Sequence, residues 1–161
     1  MHALLHTLFR YKNWAGSHLF DLLKQNAASL PPQELDSAIR ILNHVWLVEQ
    51  IFQANLQGVR HRYTALKTQE TPQLGELRAK QRSCERWYED YLAMLTPAAL
   101  EENLNFVFVD GKPGRMQRCE MLMHLVTHAS NHRGAVSRIL AANSLPAPKD
   151  TLTVFLHSAA Q

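Results

Sequence analysis

Four long segments of the chain repeat apolar residues every three or four positions, and this periodicity limits the fold more than any other feature. Each segment covers about 25 residues, or about seven turns of an α-helix. Breaks rich in Pro, Gly, Ser or Asn separate the segments, as is typical of loops. The sequence therefore predicts four amphipathic helices, over about residues 2–26, 33–57, 71–95 and 117–142.

Two shorter segments have different patterns. Residues 104–109 are rich in β-branched and aromatic side chains and lead into Asp110 and Gly111, which favours a short strand, and a small hairpin, at this turn. Residues 151–156 fit either a strand or a docking turn. Because each long helix has one apolar stripe, we expect an all-α four-helix bundle with a short β-hairpin-like insertion before the fourth long helix.

The composition bounds the class of protein. With 161 residues, 46% of them hydrophobic and 19% charged, the chain is expected to form a single globular domain over residues 1–161. The net charge is +3, but basic and acidic residues alternate along the third helix, so nucleic acid is not an expected partner. The two cysteines lack CxxC spacing, which fits a reducing compartment. Without a signal peptide or an apolar run of about 18 residues, the sequence predicts a cytoplasmic protein with no membrane partner.

Three histidines are candidate metal ligands: His44 in the second long helix, and His128 and His132 in the fourth. The His-x-x-x-His spacing places the last two on one helix face, with Cβ atoms about 5–6 Å apart. An imidazole fills a core poorly unless its nitrogens have partners, and a metal ion supplies one partner for each ring. The sequence thus favours a three-nitrogen metal site, with a metal-free bundle of hydrogen-bonded core histidines as the alternative.

The helical angles test which histidines face inward. At about 100° per residue, His132 lies about 40° and Leu125 about 60° from His128, so His132 is inside the apolar arc and His128 is at its edge. His124 falls at about −40° from His128, and we expect it either to contact the ligands or to be exposed. In the second long helix, His44 lies within the buried arc. Periodicity therefore favours the pair His128 and His132 over His124.

Four other residues lie beside the candidate ligands. Glu49 is about 140° from His44, and we expect it to be solvated or salt-bridged. Arg133 points away from the ligand face by a similar angle, and we expect exposure, with a pairing across an interface or a bound anion as alternatives. Asn43 is expected either to hydrogen-bond a ligand or to support packing. Gly134 inside the fourth long helix suggests a close helix contact, within the chain or at a subunit interface.

Three motifs resemble the DinB/YfiT-like family, and together they span nearly the whole chain. The motifs are YKNWA at residues 11–15, NHVW at 43–46 and LVTHASNHRG at 125–134. The resemblance implies a four-helix bundle with a long connection between helices 2 and 3, for which residues 58–70 are long enough, and often a homodimer. It also implies a divalent metal ion, Zn or Ni, bound by the matching His44, His128 and His132. Asn131 departs from the pattern, because many members carry an aromatic residue there, and this changes the pocket wall.

The function expected from this site is nucleophile activation. Three neutral histidines leave open positions on a divalent ion for water or substrate, which is typical of catalytic sites. Such an ion lowers the pKa of a bound water or thiol. By resemblance to thiol-dependent S-transferases and isomerases, we expect a metal-dependent enzyme of the thiol S-transferase or hydrolase type, using a low-molecular-weight thiol or another small molecule. The alternative is a non-enzymatic protein of the stress or DNA-damage response in which the metal is structural; no catalytic acid or base is identified.

Overall fold

The computed structural model describes residues 1–158, which are mostly helical. Within this part of the chain no helix is both long enough and apolar enough to cross a membrane. The elements follow in the order α1 (His2–Asn26), α2 (Pro32–Leu56), α3 (Leu74–Met94), α4 (Pro97–Leu100), β1 (Asn103–Val107), β2 (Pro113–Gln117), α5 (Arg118–Ala142) and α6 (Leu152–Ser158).

The helix ends follow local chain chemistry. α2 begins with Pro32 in its first turn, where the missing N–H of proline costs no hydrogen bond. It ends just before Gly58, whose φ of +69° is left-handed and suits a residue without a Cβ atom. α3 starts three residues later than the sequence suggests, because Gln73 is still extended, with a ψ of 137°. The four long predicted helices are confirmed within a few residues of their expected ends.

The predicted strand forms one arm of a two-stranded antiparallel hairpin. β1 pairs with β2 from Asn103 opposite Gln117 to Val107 opposite Pro113. α5 follows β2 without a connecting residue, and Gln117 and Glu120 cap its first turn reciprocally. The hairpin and the start of α5 are therefore one continuous unit.

The C-terminal segment is a docked helix and not a strand. α6 covers residues that the sequence pattern left open between a strand and a docking turn. Its Phe155 is buried, with its ring centroid 5.9 Å from that of Tyr11 and 5.5 Å from that of Trp14. The aromatic face of α1 thus holds the end of the described chain.

The packing of the long helices places the histidine-bearing elements together. α2 packs against α5 and α3, and α1 packs against the other faces of α3 and α5. Apolar side chains form two buried clusters along these contacts, one near the hairpin and one near the far end of α5. The expected close contact at Gly134 is not found within the described chain, since a Cβ atom built there meets nothing within 4 Å.

Candidate metal centre

The structure brings the three predicted histidines together between α2 and α5. One ring nitrogen of each of His44, His128 and His132 lies within 4.8 Å of those of the other two. The Nε2 atoms of His44 and His128 are 3.1 Å apart. The ring centroid of His132 is 4.8 Å from that of His44 and 4.5 Å from that of His128. All three side chains are half-buried, so the cluster is accessible from one side.

The geometry of the cluster fits a divalent metal ion. Two imidazole nitrogens bound at about 2.0–2.1 Å to one ion lie about 2.9–3.4 Å apart at tetrahedral or octahedral angles. The separation of 3.1 Å between the Nε2 atoms of His44 and His128 falls in this range, and a ring nitrogen of His132 lies within 4.8 Å of the ligand atoms of both. Three imidazoles suit Zn, Ni, Cu or Fe. Within residues 1–158 no fourth His, Cys, Asp or Glu belongs to the cluster.

A backbone carbonyl orients the first of these rings. The Nδ1 atom of His44 is 2.7 Å from the carbonyl oxygen of Leu66. Because a carbonyl can only accept, Nδ1 carries the proton, and Nε2 directs its lone pair towards His128. Metal-binding histidines are held in this way by a partner on the other nitrogen. Leu66 belongs to the connection between α2 and α3, which the sequence predicts only as a linker.

Asn43 secures the segment that supplies this carbonyl. Its side chain is buried and donates a hydrogen bond of 2.7 Å to the hydroxyl of Thr68, which in turn donates to the carbonyl of Glu70 at 2.7 Å. Asn43 therefore contacts the connection and none of the three rings in the cluster. The sequence does indicate that Asn43 has a partner, because a polar residue next to a candidate ligand faces a neighbouring segment. It does not indicate which segment that is.

Two of the three rings, His128 and His132, favour the neutral state that metal binding requires. Burial, together with repulsion from His132, His44 and His124, lowers the pKa of His128 to about 3. Burial and the nearby His44 also lower the pKa of His132. At neutral pH these rings are uncharged, and their lone pairs are available to an ion.

His124 lies beside the cluster and does not join it. The side chain is exposed, and its ring stacks on Phe52 with a centroid distance of 4.9 Å and on His128 with one of 5.4 Å. Burial lowers its pKa. This arrangement agrees with the expectation that His124 contacts a ligand ring or is exposed, because it does both.

Glu49 faces the opposite side of α2 and is fully buried. Its carboxylate accepts from the Nζ atom of Lys12 at 2.8 Å and from the amide of Gln81 at 2.8 Å. The expectation of a salt bridge is confirmed, and that of a solvated side chain is wrong. The angle from His44 was correct, but α1 and α3 cover the face to which it points.

Arg133 is buried, contrary to the expected exposure. Only 5% of its surface is accessible. Its Nε atom donates to the carboxylate of Asp150 at 3.0 Å, and its Nη2 atom donates to the hydroxyl of Tyr11 at 2.9 Å. The tail after α5 and the side of α1 cover this face, and neither could be placed from the periodicity of α5 alone.

Comparisons with known proteins give one match. The family model described as the DinB family matches residues 1–160. This range contains the four long helices, the hairpin and all three clustered histidines. No curated protein and no solved structure matches the chain.

Proposed function

The chain belongs to the DinB family, and we propose that it binds a divalent metal ion through His44, His128 and His132. The observation that carries the proposal is the convergence of three imidazoles from two helices. Zn or Ni is the expected ion, as the family resemblance implies. Imidazole suits both, and among the described residues the cluster contains no thiolate or carboxylate.

We also infer how the long helices are arranged. The contacts of α1 with α3, α3 with α2, α2 with α5 and α5 with α1 form a closed ring, as in a four-helix bundle. The long connection between α2 and α3 allows these two helices to sit at their observed places in that ring. We propose that this bundle is a single domain over residues 1–161 and that it forms a homodimer, as the family resemblance suggests.

The proposed activity is that of an enzyme of the thiol S-transferase or hydrolase type. A bound ion at such a centre lowers the pKa of a water or thiol ligand. Because the three histidines are neutral, they leave the charge of the ion uncompensated, which favours a thiolate or hydroxide over its protonated form. The thiol would come from a small molecule, since Cys84 and Cys119 are both buried. Burial also raises the pKa of the Cys84 thiol, so this residue is not a thiolate donor.

Cobalt substitution tests both steps of the proposal. Metal-free protein loaded with Co²⁺ and titrated with glutathione is expected to gain a sulfur-to-cobalt absorption band. The variant His44→Ala should bind little Co²⁺ and show no band, while His124→Ala should behave like the wild type. The rate at which the protein conjugates glutathione to chlorodinitrobenzene then measures turnover. The proposed activity would be contradicted if the protein binds no Co²⁺. It would also be contradicted if the absorption spectrum of bound Co²⁺ does not change when glutathione is added.

A structural role for the ion has one observation in its favour. The three ligands come from α2 and α5, so an ion would link these two helices. In that case the protein is a non-enzymatic member of a stress or DNA-damage response. Metal that raises the unfolding temperature while neither the Co²⁺ spectrum nor turnover responds to thiol would support this role. The absence of a fourth ligand within residues 1–158 favours the catalytic one.

A further inference from the structure

A large cleft lies between the start of the α2–α3 connection and the hairpin. Residues 58–64 form one wall, residues 105–109 with Gly111 form the other, and Asn55 closes one end. Its volume is about 870 Å³, within the range of roughly 300–1,000 Å³ that is usual for small-molecule sites. We call it the linker–hairpin cleft. None of the three clustered histidines lines it.

The polar part of the linker–hairpin cleft is cationic. Arg60 and Arg62 line it, both are exposed, and no Asp or Glu is among the lining residues. Neither arginine forms a salt bridge within the described chain. The nearby Asp110 is already paired with the Nζ atom of Lys112 at 2.9 Å. The cleft therefore holds two positive charges without a negative partner.

The opposite wall of the linker–hairpin cleft is apolar and partly open to solvent. Phe108 is 48% exposed and Val107 is 54% exposed. The ring of Phe108 contacts that of Phe106, with 4.9 Å between centroids. On the wall that carries the arginines, Tyr63 adds a third aromatic ring, and the Arg62 guanidinium lies 5.6 Å from the centroid of that ring. Exposed aromatic surface facing a pair of cations is complementary to a molecule that is apolar at one end and anionic at the other.

One buried polar atom of the linker–hairpin cleft also lacks a partner. The Nδ1 atom of His61 is inaccessible to solvent and forms no hydrogen bond within the described residues. His61 lines the cleft between the two arginines in sequence. A buried nitrogen without a partner costs free energy. Because this atom is inaccessible, it is not itself a ligand contact, and the site rests on the arginines and the apolar wall.

We propose that the linker–hairpin cleft binds a small organic anion with an aromatic or aliphatic body. Its carboxylate, sulfonate or phosphate group pairs with Arg60 and Arg62, and its body lies against the exposed side chains of Val107 and Phe108. Guanidinium groups suit such anions because their paired N–H donors match the oxygens of a planar carboxylate or of a tetrahedral sulfonate or phosphate. The site is distinct from the histidine cluster, so the proposal stands whether or not the histidines bind a metal.

Anilinonaphthalene sulfonate is a suitable probe, because it combines an aromatic body with one negative charge. Metal-free full-length protein is expected to bind it saturably with one site per chain. The double variant Arg60→Gln/Arg62→Gln should bind it roughly 10-fold more weakly or worse, since two charge-assisted contacts are lost. The matched control Arg82→Gln/Arg86→Gln removes the same charge from the exposed surface of α3 and should leave the affinity unchanged. Circular dichroism verifies that all variants are folded.

Two further arms locate the apolar contacts and the charge requirement. Phe108→Ala should also weaken binding, and the uncharged probe phenylnaphthylamine should bind the wild type far more weakly than the sulfonate does. Equal affinity of the wild type and the Arg60/Arg62 variant for the sulfonate would overturn the proposal. So would equal affinity for the two probes. A concentration-dependent dimer that the Arg60/Arg62 variant abolishes, with probe affinity unchanged, would assign the cleft to a second copy of the chain and equally overturn it.

Discussion

Two polar residues of α2, only five positions apart, lie in opposite surroundings. His44 joins a half-buried cluster that is open on one side, with one ring nitrogen held by a carbonyl and the other facing two further imidazoles. Glu49 lies in a sealed region, where its side chain is 1% exposed and its two oxygens are bound by Lys12 and Gln81. The same helix therefore carries one site with ring nitrogens open to a ligand and one whose carboxylate oxygens already have partners.

The difference lies in which groups remain without partners. In the sealed region even the backbone carbonyl of Glu49 accepts a hydrogen bond, from the hydroxyl of Tyr88 at 2.7 Å. In the cluster the Nε2 atoms of His44 and His128, which face the candidate metal position, have no partner within the described chain besides each other, at 3.1 Å. Completed polar networks hold a fold together, and incomplete ones indicate where a ligand completes them. The comparison shows that solvent exposure and the availability of polar atoms distinguish a ligand site from a structural network better than residue type does.

The largest expected effect is on the sealed region. Glu49→Leu leaves the Lys12 ammonium buried without a counter-charge and should lower the free energy of unfolding by about 3–5 kcal/mol, measured by urea denaturation. The double variant Lys12→Met/Glu49→Leu should recover most of this loss, because no charge remains unpaired. A loss below about 1 kcal/mol in the single variant would show that Lys12 and Glu49 do not form a buried ion pair.

The next effect concerns the open cluster. His44→Ala should lower the affinity for Zn²⁺ or Ni²⁺ by about 100-fold or more, equivalent to about 2.7 kcal/mol, measured by calorimetry. Without metal, its stability should stay within about 1 kcal/mol of the wild type, since the side chain is half-buried. His124→Ala is the matched control, and its metal affinity should be unchanged. Equal metal content in His44→Ala and the wild type would refute the three-ligand cluster.

A third effect is a pH dependence of the metal-free protein. The folded pKa of His128, about 3, lies below the value of about 6.5 expected in the unfolded chain. The unfolded chain therefore takes up a proton between these values that the folded chain excludes, so stability falls as pH decreases through this window. Above pH 7 this histidine contributes no slope. Urea denaturation at several pH values should show a shallower dependence for His128→Asn, and an identical slope in both proteins would contradict the assignment.

The smallest effect concerns the connection that orients His44. Asn43→Ala removes the hydrogen bond to Thr68 and should lower metal affinity about 10-fold, as expected for residues that position a ligand. It should cost about 1 kcal/mol of stability. Thr68→Val removes this hydrogen bond together with the one that Thr68 donates to the Glu70 carbonyl, and it should lower the affinity at least as much. If stability falls in both variants while affinity does not, the connection supports the fold and not the cluster.

The sequence predicts the elements of this fold well because periodicity reports on each helix by itself. The four long helices, the strand before α5 and the inward direction of His44, His128 and His132 all follow from spacing along one segment. The resemblance of three short motifs extends these local predictions to the family, and the match over residues 1–160 confirms it.

The errors arise where a second segment covers a helix face. The helical angles of Arg133 and Glu49 point away from the ligand face, as expected. An angle does not reveal, however, that Asp150 lies opposite Arg133 or that Lys12 lies opposite Glu49. The Leu66 carbonyl was missed for the same reason, since any residue can supply a backbone acceptor. Side-chain type predicts which groups need partners, and only the tertiary structure shows which groups meet that need.

The direct passage from β2 into α5 has a consequence for any attempt to rebuild this protein. Gln117 ends the strand and Arg118 begins the helix. The backbone N–H of Arg118 donates to the carbonyl of Glu102 at 2.9 Å, next to the other strand. The hydrogen bond from Arg118 to Glu102 and the reciprocal cap of Gln117 and Glu120 therefore tie the first turn of α5 to the hairpin. A transplant of α5 without the hairpin would carry over His128 and His132 but would leave the first turn of their helix without this support.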